Sequence, residues 1–222
     1  MHILPPGYLA ALKRHCEARG MLLIVDEAQT GIGRCDDLMA IHHEGVVPDI
    51  LTLSKTLGNG LPLSAVVTSD DIGRLSAERG FFFYTTHLND PLPAAVGDKV
   101  LEIVLRDGLV EHERRMGRIL HVGLQGLRAR YGCIGDVRGR GLMAGVEIVG
   151  DRDSKAPAPE LASAIGDRAY ELGLWANLSS HPSYGGVFRI APPITVTAAQ
   201  MEEGVGILEQ ALAQTEGTLP LY

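Results

Sequence analysis

Two acidic residues and one lysine follow short apolar runs in the first quarter of the chain. Asp26 and Glu27 end the run LLIV, and Lys55 comes directly after the run DILTLS. Ligands of open α/β sheets bind at the carboxyl ends of the strands. We therefore expect a carboxylate and an amine to lie near each other at such an edge.

An acid pair at the end of a buried strand also occurs in nucleotide triphosphatases, where it holds magnesium. Those enzymes need a phosphate loop of the form GxxxxGK[ST], whose backbone amides surround the phosphates. The sequence contains no such loop. The run GDVRGRG, residues 135–141, has glycines but no Lys before Ser or Thr, and we interpret it as tight turns. The pattern disfavours nucleotide hydrolysis, unless such a loop lies outside these 222 residues.

The pairing of Asp26 with Lys55 suits pyridoxal phosphate chemistry better. Such an enzyme needs one lysine for a Schiff base with the cofactor and one carboxylate to keep the pyridine nitrogen protonated. The alternative is an ordinary surface lysine at a strand end. Because lysine is seldom placed against apolar surroundings without a purpose, the neighbouring acid favours the cofactor hypothesis.

The elements that must position these residues are readable from apolar periodicity. Runs over 22–26, 49–54 and 61–69 are apolar on both faces, which predicts strands of a covered sheet. Helical spacing and capping residues predict helices, and two later runs predict further strands. The predicted helices cover 8–19, 69–79, 89–106, 109–130, 160–172 and 197–214, and the later strands cover 141–149 and 187–193. The alternation predicts an α/β fold.

Composition narrows the class of protein. The 222 residues are 45% hydrophobic, enough for one large or two modest domains, and the net charge is -7. No basic cluster interleaves with aromatic residues, which disfavours nucleic acid as a partner. No apolar run approaches the ~20 residues of a membrane helix, and no secretion signal is evident, so we expect a cytoplasmic protein.

Cys16, Cys35 and Cys133 form no CxxC pair, and His42 and His43 lack an HExxH companion, so packing or surface roles are expected.

Several motifs together resemble the class III aminotransferases, a family of fold-type I pyridoxal phosphate enzymes. They are LLIVDEAQTGIGR, PDILTLSKTLGNGLPLSAVV, VRGRGLMAGVEIV and GGVFRIAPP, which cover most of the chain. The resemblance is to the C-terminal half of that family. It implies that residues 1–105 are the C-terminal part of the cofactor-binding large domain and that residues 106–222 form a small C-terminal α/β domain. It also implies a homodimer or a dimer-based tetramer acting on amino acids and 2-oxo acids.

The resemblance assigns roles to individual residues. Lys55 would form the Schiff base and carry protons, and Asp26 would hold the pyridine nitrogen. Gln29 would contact the region of the ring hydroxyl. Thr86 would reach the cofactor phosphate of a neighbouring subunit. Arg189 would pair with the substrate carboxylate through a two-pronged contact that lysine cannot reproduce.

The stretch FFFYTTHLNDPLPAAVGDKV is most similar to the 2,2-dialkylglycine decarboxylases within this family. Ordinary members carry a T-x-x-G-x-P stretch there, whereas Asn89 and Asp90 stand in this chain. The similarity implies an alkali metal ion, potassium or sodium, bound by the carbonyl oxygens of Thr86 and Leu88 and the carboxylate of Asp90. Oxygen ligands suit such a hard cation.

The activity implied is decarboxylation of a 2,2-dialkylglycine coupled to transamination of pyruvate. Two alternatives stay open: an ordinary class III ω-amino acid aminotransferase, and a non-catalytic half-enzyme. The glycine-rich turn that binds the cofactor phosphate is expected outside these 222 residues. One departure from the family pattern, GRCDD at residues 33–37, has no explanation at the level of sequence.

Overall fold

The computed structural model describes residues 2–183 and 185–215, which divide into two compact units. The first unit spans residues 4–110, and the second takes the described residues from 111 onward together with residues 2 and 3. The first contains α1 (Tyr8–Glu17), β1 (Ile24–Asp26), β2 (Ile50–Leu53), β3 (Ala65–Thr68), α2 (Asp70–Glu78) and α3 (Pro91–Arg106). From α4 (Leu109–Arg130) the chain continues through β4 (Ile134–Arg140), β5 (Met143–Asp151), β6 (Ala156–Pro157), α5 (Pro159–Glu171), β7 (Asn177–His181), β8 (Gly185–Ile190) and α6 (Ala198–Thr215).

The first unit is built on a three-stranded sheet in the order β1-β2-β3. Strands β1 and β2 are parallel, with Asp26 opposite Thr52, and β3 runs antiparallel to β2. Asp49, just before β2, accepts hydrogen bonds from the Lys13 ammonium and the Leu23 backbone N–H, each at 2.7 Å. These contacts tie α1 to the sheet and fix where β1 and β2 begin.

Local capping chemistry starts two helices where the sequence predicts. The Ser69 hydroxyl accepts a hydrogen bond from the Ile72 backbone N–H at 3.4 Å at the start of α2. At the start of α6, Thr197 and Gln200 exchange hydrogen bonds: the Gln200 N–H donates to the Thr197 hydroxyl, and the Thr197 N–H donates to the Gln200 side chain. This is a capping box, which satisfies backbone donors that the first turn leaves unpaired.

The second unit has an antiparallel sheet in the order β4-β5-β8-β7, with β6 paired to β5. Residues on one face of this sheet form a continuous core with α4, α5 and α6. Its largest fully buried members are Leu120, Leu124, Leu127, Ile134, Leu142, Val146, Ile148, Ile165, Phe188 and Leu212. The opposite, polar face carries Arg138, Glu147 and Arg189 together with the buried Met143, because successive residues of a strand point to opposite sides.

The α/β class is confirmed, although among the strand pairs of the described residues only β1–β2 is parallel. The interpretation of residues 135–141 as tight turns is wrong, since Ile134–Arg140 is strand β4. The two glycines of β4, Gly135 and Gly139, conceal the alternation. Gly139 is required there, because a Cβ at this residue would lie 2.1 Å from the Met143 carbonyl oxygen. Strand β7 also escaped prediction, because its sequence NLSSH is mostly polar.

Within the residues described, no helix combines the length and apolarity needed to cross a bilayer. Cys16, Cys35 and Cys133 form no disulfide and are buried, as expected of packing residues.

Candidate active site

Asp26 ends β1 with its carboxylate exposed and held by two hydrogen-bond donors. The Ala28 backbone N–H donates to Oδ1 at 2.9 Å, and the Thr52 hydroxyl donates to the same oxygen at 3.0 Å. The Ala28 bond and then the Thr52 bond lower the pKa of Asp26 below its ordinary value; burial opposes them, and the charge of Lys55 assists them. The carboxylate is therefore ionised at neutral pH and available to a cationic or N–H group.

Glu27, the next residue, points into the protein instead. It is 3% exposed and accepts hydrogen bonds from the Thr30 hydroxyl and, at 2.7 Å, from the Ile41 backbone N–H. Its carboxylate fixes the turn that follows β1 against the 3-10 helix Ala40–Glu44. The two acids thus diverge, and the described residues contain no cluster of three or more His, Cys, Asp or Glu side chains arranged for a metal.

Lys55 begins the 3-10 helix Lys55–Gly58 directly after β2 and is exposed. Its backbone has φ of 50°, in the left-handed region that non-glycine residues seldom adopt. Two contacts hold the turn: Ser54 Oγ donates to the Leu63 carbonyl oxygen at 3.3 Å, and α3 packs on it through Gly97. A Cβ at Gly97 would come within 2.5 Å of a Leu63 methyl carbon. A strained residue so supported is a candidate for function.

The structure brings the Lys55 amine and the Asp26 carboxylate to the same edge of the sheet. Their strands are parallel neighbours, and Lys55 lies three residues beyond Thr52, the register partner of Asp26. The lysine charge acts on the Asp26 pKa, yet among the described residues neither hydrogen bond nor ion pair joins the two side chains. Both groups are therefore available to a ligand placed between or beside them.

Gln29 lies on the turn after β1 with its side chain exposed. The loop that follows contains the unexplained Cys35, Asp36 and Asp37. Asp37 accepts from the Leu38 N–H at 2.6 Å and lies 2.8 Å from His42 Nδ1, and His43 Nε2 bonds the Cys35 carbonyl oxygen at 2.7 Å. Burial raises the pKa of Asp37, but the His42 and Leu38 bonds more than offset it and leave that pKa lowered. Two residues of this departure from the family pattern are thus bonded to histidines: Asp37 to His42, and the Cys35 backbone to His43. Sequence reasoning missed both contacts.

Thr86, Leu88 and Asp90 belong to an exposed segment without regular structure before α3. Asp90 Oδ2 lies 2.8 Å from His87 Nδ1, and the Leu88 N–H donates to the Thr85 carbonyl at 3.2 Å. Asp90 occupies the N-cap position of α3, but its side chain makes no capping bond. Within the described residues these polar contacts are local to the segment.

Arg189 lies on β8 in the second unit, opposite Gly145 of β5 on one side and Asn177 of β7 on the other. It is exposed, and no described residue forms a hydrogen bond or ion pair with its guanidinium. It lines a mostly apolar cavity of about 450 Å³ together with Leu120, Trp175, Asn177, Ile190 and Leu208. The exposed guanidinium can receive a carboxylate.

Comparisons with known proteins agree on one family. The model for "Aminotransferase class-III" matches residues 1–212. An uncharacterized aminotransferase of Schizosaccharomyces pombe is 50% identical over 212 residues, covering 96% of this chain and 47% of that protein. The acetylornithine aminotransferase of Caldanaerobacter subterraneus is 36% identical, covering 96% of this chain and 50% of that protein.

The fold has close solved counterparts. A transaminase from the marine bacterium Virgibacillus superposes with a TM-score of 0.90 at 29% identity, covering 98% of this chain and 51% of that one. The chain spans about half the length of the relatives it matches.

Proposed function

The chain belongs to the class III aminotransferase family, and we propose that it carries the lysine-bearing part of a pyridoxal-phosphate-dependent aminotransferase site. The substrates would be an amino acid and a 2-oxo acid. The observation that supports this most directly is the Asp26 carboxylate, ionised and exposed on the strand beside the one that delivers the Lys55 amine. Aminotransferases among the relatives put this activity ahead of decarboxylation.

Asp26 and Lys55 are residues of the types that pyridoxal phosphate requires. When bound, pyridoxal phosphate supplies an electron sink that stabilises negative charge on the substrate carbon. Asp26 would hold a proton at the pyridine nitrogen, since a carboxylate fixed by Ala28 and Thr52 stays charged without reorganising. Lys55 would hold the cofactor covalently through its amine and, once released, move a proton at that amine.

The other site residues keep the roles that the family resemblance implies. Gln29, exposed on the turn after β1, would contact the ring hydroxyl region. Thr86 would reach a cofactor phosphate in a neighbouring subunit of a dimer. Arg189 would receive the substrate carboxylate. Residues 1–105 and 106–222 would be the corresponding parts of the large and small domains.

Borohydride reduction of the chain incubated with pyridoxal phosphate, followed by peptide mapping, tests the proposal. We expect the label on Lys55 and its loss in Lys55→Arg, which keeps the positive charge. Lys155 is a built-in control, because it is also exposed and has φ of 53°, but lies in the second unit. A label on Lys13, Lys99 or Lys155 in place of Lys55 would overturn the assignment.

Decarboxylation stays a second candidate because of Asn89 and Asp90. In support of the implied alkali ion, Oδ2 of Asp90 contacts His87, whereas no described residue bonds Oδ1, which is left to join the carbonyl oxygens of Thr86 and Leu88. Carbon dioxide release from 2-aminoisobutyrate, dependent on potassium or sodium and reduced in Asp90→Asn, would support this activity. Amino transfer without gas release would leave the ordinary aminotransferase.

A further inference from the structure

The polar face of the second sheet places two arginines and one asparagine in a single row across four strands. Arg138 of β4 is opposite Gly145 of β5, Gly145 is opposite Arg189 of β8, and Arg189 is opposite Asn177 of β7. Residues directly opposite each other in a ladder lie on the same face, with Cβ atoms about 4.5–5.5 Å apart. The Arg189 and Asn177 side chains are therefore immediate neighbours.

The two arginines of this row have opposite electrostatic surroundings. Arg138 is 19% exposed and pairs with Asp136 at 2.9 Å and with Glu147. Burial of the guanidinium opposes its charge, but the Glu147 and Asp136 bonds raise the pKa of Arg138 above its ordinary value. No described residue forms a hydrogen bond or ion pair with the Arg189 guanidinium, and Gly145 contributes no side chain between the two arginines. The fold thus neutralises one arginine and leaves the other for an external anion.

Asn177, like Arg189, is exposed, and none of the described residues forms a hydrogen bond with its side-chain amide. Asn177, Arg189 and Trp175 also border a cavity whose other walls include the core residues Leu120 and Leu208. An amide N–H₂ beside a guanidinium adds donors next to the arginine fork, and hydrogen bonds to a charged acceptor are stronger than those between neutral groups.

We propose that Asn177 is a second carboxylate-binding residue, whose side-chain amide donates to the substrate carboxylate held by Arg189. The inference rests on the proposed function, which assigns that carboxylate to Arg189. Asn177 adds a third hydrogen bond to the two that the arginine fork makes, so the carboxylate is bound more strongly than by Arg189 alone. An aspartate at this position would instead pair with Arg189 and exclude the substrate.

Trp175 offers a direct measurement, because it is the only tryptophan of the chain and lines the same cavity. In the ¹⁵N-labelled full chain, its single indole N–H resonance is followed during titration with pyruvate. Pyruvamide, which is neutral, serves as the matched probe. We expect pyruvate to shift the resonance in a saturable way and pyruvamide to leave it unchanged.

The variants separate a binding role from a structural one. We expect Asn177→Ala to weaken pyruvate binding about tenfold, the loss of one hydrogen bond to a charged group. Asn177→Asp, of the same shape, should abolish binding, and Asn177→Gln should retain part of it. Ser179→Ala, on the same strand and face, should bind as the wild type does.

Three outcomes would overturn the inference: no shift of the wild-type resonance, equal affinity of Asn177→Ala and the wild type, or the same loss in Ser179→Ala. If Arg189→Ala abolishes binding while Asn177→Ala leaves it unchanged, Arg189 acts alone. The proposed function is tested elsewhere, by labelling of Lys55, so its failure is distinguishable from failure here.

Discussion

Asp26 illustrates how local donors set the charge of a single carboxylate. Its pKa is lowered by the Ala28 N–H, the Thr52 hydroxyl and the charge of Lys55. A carboxyl group whose pKa is lower in the folded than in the unfolded chain adds stability above the unfolded value. That contribution is lost as the pH falls from about the ordinary value, 3.8, through the folded pKa. At neutral pH the carboxylate is therefore a fixed negative charge.

Replacing Thr52 by Val is expected to raise the pKa of Asp26. The change removes one of two donors to Oδ1 while keeping the β-branched shape that β2 favours. The measurement is the ¹³C chemical shift of the Asp26 carboxyl carbon during a pH titration. The Ala28 bond remains, so the carboxyl group should still titrate below its ordinary value.

Thr68→Val is the matched control, because Thr68 belongs to the same sheet but donates to the Asp49 carbonyl oxygen. It should leave the Asp26 titration unchanged. An Asp26 pKa that does not move in Thr52→Val would show that the backbone N–H and Lys55 alone set the charge.

At the scale of elements, helix α4 holds the turn between β4 and β5 through residues spaced four apart. Glu113 is fully buried and accepts from the Leu142 backbone N–H, and His121 Nε2 donates to the Gly141 carbonyl oxygen at 3.1 Å. Between them, Gly117 faces Gly141 so closely that a Cβ would lie 2.8 Å from its backbone. Residue 117 must therefore be glycine for α4 to approach the turn this closely.

Gly117→Ala should consequently destabilise the fold, even though alanine is the better helix former. A methyl group pressed against backbone forces α4 and the turn apart, at a cost of about 1–3 kcal/mol. Urea denaturation followed by circular dichroism measures the change in the free energy of unfolding.

Gly126→Ala provides the comparison within the same helix, because a Cβ there meets no atom within 4 Å. It should stabilise by up to about 1 kcal/mol through helix propensity alone. Equal effects of the two substitutions would contradict a close approach at Gly117.

At the scale of the whole molecule, the two units differ in how completely their sheets are covered. The continuous core lies in the second unit, where Ile134, Ile148 and Phe188 are fully buried. In the first unit, Ile24 is 60% exposed and Val66 70% exposed, although both belong to sheet strands. Segments with few buried apolar contacts open more readily.

We therefore expect backbone amides of β5 and β8 to exchange with solvent more slowly than those of β1 and β3. Hydrogen–deuterium exchange of the intact chain, read by mass spectrometry of peptic peptides, gives both sets in one experiment. Exchange in β1 and β3 as slow as in β5 would show that the first sheet is covered in solution.

Local signals in the sequence were enough to predict many of the helices and strands and the kind of chemistry. Ser69 and Thr197 start helices through bonds to residues three positions away, so nearby sequence carries the information. The apolar runs before Asp26 and Lys55 predicted neighbouring strands that end at one edge. In the structure, β1 and β2 are parallel neighbours. The roles of Gln29, Thr86 and Arg189 stay predictions.

Tertiary structure alone decided which distant residues become neighbours. The register of β7 against β8 places Asn177 beside Arg189, and the loop conformation brings Asp37 to His42. Strand β4 was missed because glycines interrupt its alternation, while its partner β5 supplies the hydrogen bonds that define it. Register depends on pairing between segments far apart in the chain, so local composition predicts the elements but not which side chains they bring together.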